Sequence, residues 1–292
     1  WASKGNAFGY GKISMGKEEG ITITLDKKPG FVTTFAMDIV PPVDGSIQTA
    51  VTEEQKQVNA KRLLEEDKIR NAYVKTFYTE EKADSLAKSL GIDPLKTSDY
   101  LIGSRGNWKE IESFLSEAPA EKRSVAMDLL GVISAKDLRD TPASVLLDHL
   151  NNTGANESLL FTSYILNPRI TSEFLTPYKK VLSAGFDSSF IKSVRENPQM
   201  LVKWVKDSIR IADDLNAQRI SVMPLGVWKS RVADTDSRDV FFVALSRSLG
   251  IPAQVEPVAG KVQYYHADRW IDVDFSGVSQ ENAKQGKVVA SY

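Results

Sequence analysis

The chain has 292 residues, 42% hydrophobic and 26% charged, with a formal net charge of −1. That mix has room for one large or two to three small globular domains, and it lacks the basic excess expected of a nucleic-acid or anionic-membrane partner. There is no cysteine, which excludes disulfides and thiolate chemistry but assigns no compartment, and no apolar run reaches membrane-spanning length. The chain opens on Trp1 without a start methionine or signal segment, so it is expected to be a processed chain or an internal piece.

The first 46 residues are expected to form a small antiparallel β module. Gly20–Leu25 alternates, 26–30 reads as a turn, Phe31–Val40 as a second strand, and the Pro41-Pro42 run as its end. The texture then changes, and residues 47–292 are expected to form one domain with a long helical first part and a core over 200–292. Thr52 to about Tyr78 is helical, with Thr52 and Gln55 spaced for a capping box. A helix over Thr79–Leu90 stops at Gly91. Asn107 is placed to cap a helix through Leu115 whose apolar stripe is Trp108, Ile111, Phe114 and Leu115. Pro119 and Ala120 open another helix to Leu130, and Thr141-Pro142 one to His149. After a loop at 151–155 and an apolar stretch over Glu157–Leu166, helices are expected near Phe174–Ala184, Asp187–Val194 and Pro198–Asp214. Pro224–Trp228 reads as a loop.

The last segment is the most legible. Asp236 or Ser237 is placed to cap a helix through Leu249 that presents Phe241, Phe242, Leu245 and Leu249 on one side. Gly250 ends it and Pro252 forbids its continuation. Strands follow at Gln254–Val258, Lys261–Tyr265 and Trp270–Phe275. A helix laid on an antiparallel sheet buries both apolar faces, so the fold class is α+β.

The run Val240-Phe241-Phe242-Val243-Ala244-Leu245-Ser246-Arg247-Ser248-Leu249-Gly250-Ile251-Pro252-Ala253, with Trp270-Ile271-Asp272-Val273-Asp274, resembles the transglutaminase-like superfamily. The match covers about one sixth of the chain. Ser104–Trp108 and Asn167–Ile170 extend it toward large exported or lipid-anchored Bacteroidetes proteins carrying such a domain. The resemblance implies a cysteine-protease-like core and a periplasmic or cell-surface location. It also implies a catalytic cysteine at the helix start, a histidine on the following strand and an aspartate after the tryptophan. Counted back from Arg247, the cysteine position is Thr235, with Ser237 as the nearest other hydroxyl. The histidine region holds Gln263, Tyr264 and Tyr265. Asp274 matches the aspartate, and Gln254 replaces the arginine of the family's Ile-Pro-Ala-Arg.

A hydroxyl gains little from a helix dipole and needs a base within hydrogen-bond reach. His266 falls in what reads as the turn before Trp270, and His149 sits late in a helix. The degenerate positions Thr235, Ser237, His266 and Asp274 are therefore expected to be non-catalytic, the two hydroxyls serving as helix caps. The expected role is a peptide- or glycan-binding or structural module of a bacterial cell-envelope protein. Its ligand would be a peptide, cell-wall fragment or glycan in a cleft bounded by Trp228, Thr235, Tyr264 and Asp274, with Tyr265 beside it. Core burial competes with sugar stacking as the reading of Trp108, Trp204, Trp228 and Trp270. Two alternatives stand beside this one. One is a hydrolase using Thr235 or Ser237 with His266 and Asp274; the other is a purely structural domain of a longer exported protein. No cofactor is expected. No metal is expected either: Asp234, Asp236 and Asp239 lack the EF-hand glycine and glutamate, and two histidines without cysteine make a poor zinc set.

Overall fold

A computed structural model describes residues 2–5, 7–11, 20–27, 51–154, 160–216 and 218–275 of the chain. The chain divides into two compact units, Trp1–Lys61 and Arg62–Tyr292.

In the first unit, β1 (Ala2–Lys4) and β2 (Ala7–Gly9) form an antiparallel hairpin with Ser3 opposite Phe8. Gly9 lies so close to Thr24 that an added Cβ would sit 1.9 Å from its carbonyl oxygen. The expected strand over Gly20–Leu25 does not form. Sheet pairing there reduces to a bridge between Phe8 and Lys27, with N···O distances of 2.9 and 3.0 Å. The second expected strand, over 31–40, and the Pro-rich end after it lie outside the described residues.

Helix α1 (Glu53–Val74) crosses the division between the units. It opens with the capping box: the Thr52 hydroxyl accepts from Gln55 N at 3.2 Å, and the Gln55 side chain accepts from Thr52 N at 2.9 Å. None of its residues is buried.

The second unit is of α+β type and holds two hydrophobic cores. The first is helical. It is built by α2 (Glu80–Leu90), α3 (Pro94–Gly103), α4 (Trp108–Glu117), α5 (Arg123–Val132), α6 (Ala135–Asp140) and α7 (Ala143–Asn151), closed by a π-helical turn at Thr162–Leu166. Leu101, Ile111, Phe114, Leu129, Leu146 and Leu166 are fully buried in it. The ends follow local rules: Thr79 and Asp93 accept the N–H of Lys82 and Lys96, and Gly91 takes the left-handed conformation at φ 67°. Asn107 departs from its expected role. It occupies the cap position of α4 without capping it, and its amide donates to the carbonyls of Leu138 (3.1 Å) and Thr141 (3.0 Å). α3 and α6 had no counterpart in the sequence reading.

The second core contains α8 (Lys179–Ser183), α9 (Ser188–Glu196), α10 (Gln199–Ser208), α11 (Pro224–Ser230), α12 (Thr235–Ser248) and two small sheets. β3 (Arg210–Ile211) and β4 (Val232–Ala233) pair in parallel. β5 (Ala253–Val255), β6 (Val262–His266) and β7 (Arg269–Asp272) form an antiparallel sheet in that order. α12 is buried over nearly its whole length and packs on α8, α11, β5 and β6. Phe241, Phe242, Leu245 and Leu249 are all buried in this core, Phe242 beside Tyr264 of β6 and Phe241 beside Trp228 of α11. Three expectations fail here. Pro224–Trp228 is the body of α11 rather than a loop, because Pro224 sits in its first turn, where no N–H is needed. The Phe174–Ala184 helix shrinks to α8. The helix from Pro198 ends at Ser208, after which Arg210 and Ile211 turn into β3.

Buried polar groups join the two cores. Arg247 donates to the carbonyls of Ala253 (3.0 Å), Asn167 (2.8 Å) and Arg169 (2.8 Å). Arg169 forms a two-pronged ion pair with fully buried Asp137. Burial works to raise the Asp137 carboxyl, but the bonds from Arg169 and Ser134 hold it below the usual range.

Candidate functional site: the start of α12 and the hollows at Asp274

α12 starts from Asp234, not from the expected Asp236 or Ser237. Asp234 Oδ1 accepts the Ser237 N–H at 2.9 Å, so Ser237 is the residue being capped. Oδ2 accepts the Ser237 hydroxyl at 2.6 Å and the Asn216 amide at 2.7 Å. Burial pushes the Asp234 carboxyl up, and the hydrogen bonds from Ser237 and Asn216 outweigh it, leaving a net lowering. Ser237 is completely buried, and its oxygen also accepts the Val222 N–H at 2.9 Å. An oxygen so enclosed has no open approach for a substrate carbonyl.

Thr235 is held by a different carboxylate. Its N–H and hydroxyl reach Asp213 at 2.7 and 3.1 Å. It lines a hollow of about 490 Å³ with Asp213, Asn216, Arg219, Asp234 and Asp236. Of the three aspartates that suggested a cation, Asp234 caps α12 and lines this hollow with Asp236, while Asp239 turns to Arg238.

His266 ends β6 and pairs with Arg269, so it belongs to the strand and not to the turn. The turn is Ala267-Asp268 alone, both at positive φ (49° and 59°). The register sets Gln263 opposite Asp272, which puts Lys261, rather than His266, across from Asp274. At the rise of a β-strand, His266 is about 16 Å further along. No hydroxyl, imidazole and carboxylate among the expected four come together as a catalytic set.

The expected ligand-binding residues are also dispersed. Tyr264 is buried against Phe242, and its hydroxyl lies 3.4 Å from Gln199 Oε1. Tyr265, next along the strand, faces the other side of the sheet, edge-on to Trp270 at 5.4 Å. Trp228 packs against the second core, stacked with Trp204 and beside Phe241. Arg231 lies over its ring, and Trp228 lines neither of the hollows that Asp274 lines. His149, the other histidine, is fully buried between α7 and the loop at Thr176.

Asp274 does line open space. It is shared by two hollows beside the Asp272 end of β7. One, of about 610 Å³, is bounded by Arg238, Asp239, Lys261, Val262, Asp272 and Phe275. The other, of about 370 Å³, lies against α10 at Gln199, Met200, Lys203 and Lys206. In the first, the Arg238 guanidinium forks onto Asp239 (2.9 and 2.7 Å) and lies 4.1 Å over the Phe275 ring. Lys261 and Gln263 both donate to Asp272, at 2.5 and 2.8 Å, and hold its carboxyl low. Asp239 moves the other way, raised chiefly by burial. The sequence signal for this arrangement was the alternation 261, 263 and 272, 274 on facing strands, which only the register turns into neighbours.

No family model, curated protein or solved structure matches the chain. No helix among the described residues is long and apolar enough to cross a membrane.

Proposed function

We propose that this chain is a non-catalytic binding module of transglutaminase-like type, working at a bacterial cell envelope. It takes a peptide, cell-wall fragment or glycan in the hollows around Asp274. The observation that carries this reading is the pairing of open volume with mixed polar lining at one end of the sheet. Asp239, Asp272 and Asp274 line it together with Arg238, Lys261, Val262 and Phe275. A few convergent polar groups on an apolar surface are the usual composition of a ligand site. The enclosure of Ser237 and the commitment of Thr235 to Asp213 favour binding over acyl transfer.

The test is calorimetric titration of the full chain with a cell-wall disaccharide–peptide, the free peptide and a neutral glycan oligomer. At least one is expected to bind, and Asp274→Ala is expected to weaken it by about tenfold or more. No heat from any of the three, or binding indifferent to Asp274→Ala, removes the cleft as the site. Peptide turnover that is lost in Thr235→Ala would restore the hydrolase.

A further inference from the structure

Arg231 is the cation whose position the fold alone does not account for. It follows α11 directly and takes the left-handed backbone at φ 56°, a conformation glycine adopts without strain and arginine does not. Its side chain lies across two stacked indoles. The guanidinium carbon is 3.9 Å from the Trp228 ring centroid and 5.1 Å from that of Trp204. The indole centroids are 5.9 Å apart with planes 27° from parallel, and Phe186 braces both. Gly185 permits this packing, since an added Cβ would sit 2.5 Å from Trp228 ring carbons.

Several other cations of this unit have oxygen acceptors. Arg169 and Arg238 hold aspartates, Lys261 holds Asp272, and Arg247 holds three carbonyls. Among the described residues, Arg231 has neither an ion pair nor a side-chain hydrogen bond, and its Nη1 is buried without an acceptor. Burial works against its charge. The ring faces return part of that cost, but a π face cannot fill the in-plane acceptor position that a guanidinium N–H requires.

We propose that Arg231, packed on the Trp204–Trp228 pair, is a receptor for an oxyanion brought by a ligand, a carboxylate or a phosphate group that accepts from the guanidinium. Contact with the two indoles restricts the guanidinium, and a planar fork with restricted freedom suits two-pronged oxyanion recognition. This site is separate from the hollows at Asp274 and does not depend on how they are read.

The indoles are built-in reporters. Tryptophan fluorescence of the full chain is titrated with sodium acetate and with inorganic phosphate, ionic strength held constant with chloride. A saturable change is expected with one of them, and the anion that saturates identifies the group. Arg231→Gln is expected to abolish it, and Arg231→Lys to weaken it by about tenfold or more, since a point charge lacks the fork. Linear, unsaturated responses to both anions up to roughly 100 mM, beyond the weakest useful affinity, overturn the proposal. So does an unchanged curve in Arg231→Gln or, should that variant fail to fold by circular dichroism, in Arg231→Lys.

Discussion

His149 and Lys179 are fully buried, and each is driven toward its neutral form. For His149 burial is the first cause, with the Arg247 charge adding to it and the contact with the Thr176 carbonyl opposing it. Its Nε2 lies 3.2 Å from that carbonyl, so Nε2 carries the proton and Nδ1, with no partner, is a bare lone pair. A neutral amine has two N–H groups, and Lys179 directs its nitrogen at two acceptors, Thr153 Oγ1 (2.6 Å) and the Ile165 carbonyl (2.5 Å). The linkage follows from the lowered values. The unfolded chain binds more protons at both sites, so stability rises with pH. For His149 the loss begins as pH falls below the unfolded value of 6.5; for Lys179 it begins below 10.5. Asp137 has a lowered carboxyl, so its contribution persists above the unfolded value of 3.8 and is lost only as pH falls through that range. Urea unfolding between pH 7 and pH 5 is therefore expected to show falling stability, by up to about 1.4 kcal/mol per pH unit for each proton taken up. His149→Phe, which keeps an edge contact with Tyr178, is expected to flatten the part below pH 6.5. An equal slope in that variant would locate the titrating group elsewhere.

At the scale of elements, the β6–β7 hairpin has a two-residue loop whose backbone favours Asn-Gly, yet Ala267 and Asp268 occupy it. Replacing the pair by Asn-Gly is expected to stabilise the fold by about 1 kcal/mol, read as a shift in denaturation midpoint without a change in slope. Asn107→Ala is expected to cost about 2 kcal/mol, more than loss of an ordinary cap, because it strips two distant carbonyls of their donor. That residue also marks the limit of reading a sequence locally. The capping box at Thr52 and Gln55 and the glycines at 91 and 250 were legible because each partner lies within a few residues. Asn107 was misread because its acceptors lie 31 and 34 residues away. The start of α12 was misplaced because Ser237 looks like a cap when it is the residue capped. The candidate site was less legible than the fold. Asp274 could be picked from the chain, but its neighbours Lys261 and Asp272 needed the strand register, Arg238 the packing of α12 on the sheet, and Trp228 the packing of α10 on α11.

At the scale of the molecule, Arg247 is the joint of the second unit. Its three acceptors belong to the segment after the helical core and to the first residue of β5. Arg195 seals the same corner by donating to the Leu249 carbonyl at 2.7 Å. Arg247→Met fills the volume but abandons three carbonyls. It is expected to cost about 3 kcal/mol or more and to separate the unfolding of the two cores into two transitions. One coincident transition by tryptophan fluorescence and circular dichroism would show that apolar packing alone couples them.

Helix α1 lies outside that coupling. With every side chain exposed and no apolar stripe, it draws its order from its capping box and from i, i+3 ion pairs such as Lys56–Glu53 and Arg70–Asp67. Contacts of that kind give a helix little hold against coil. Its amides should therefore trade with deuterated solvent long before those of α12, and Lys61 and Arg62, seated where the two units divide, offer trypsin its earliest cut.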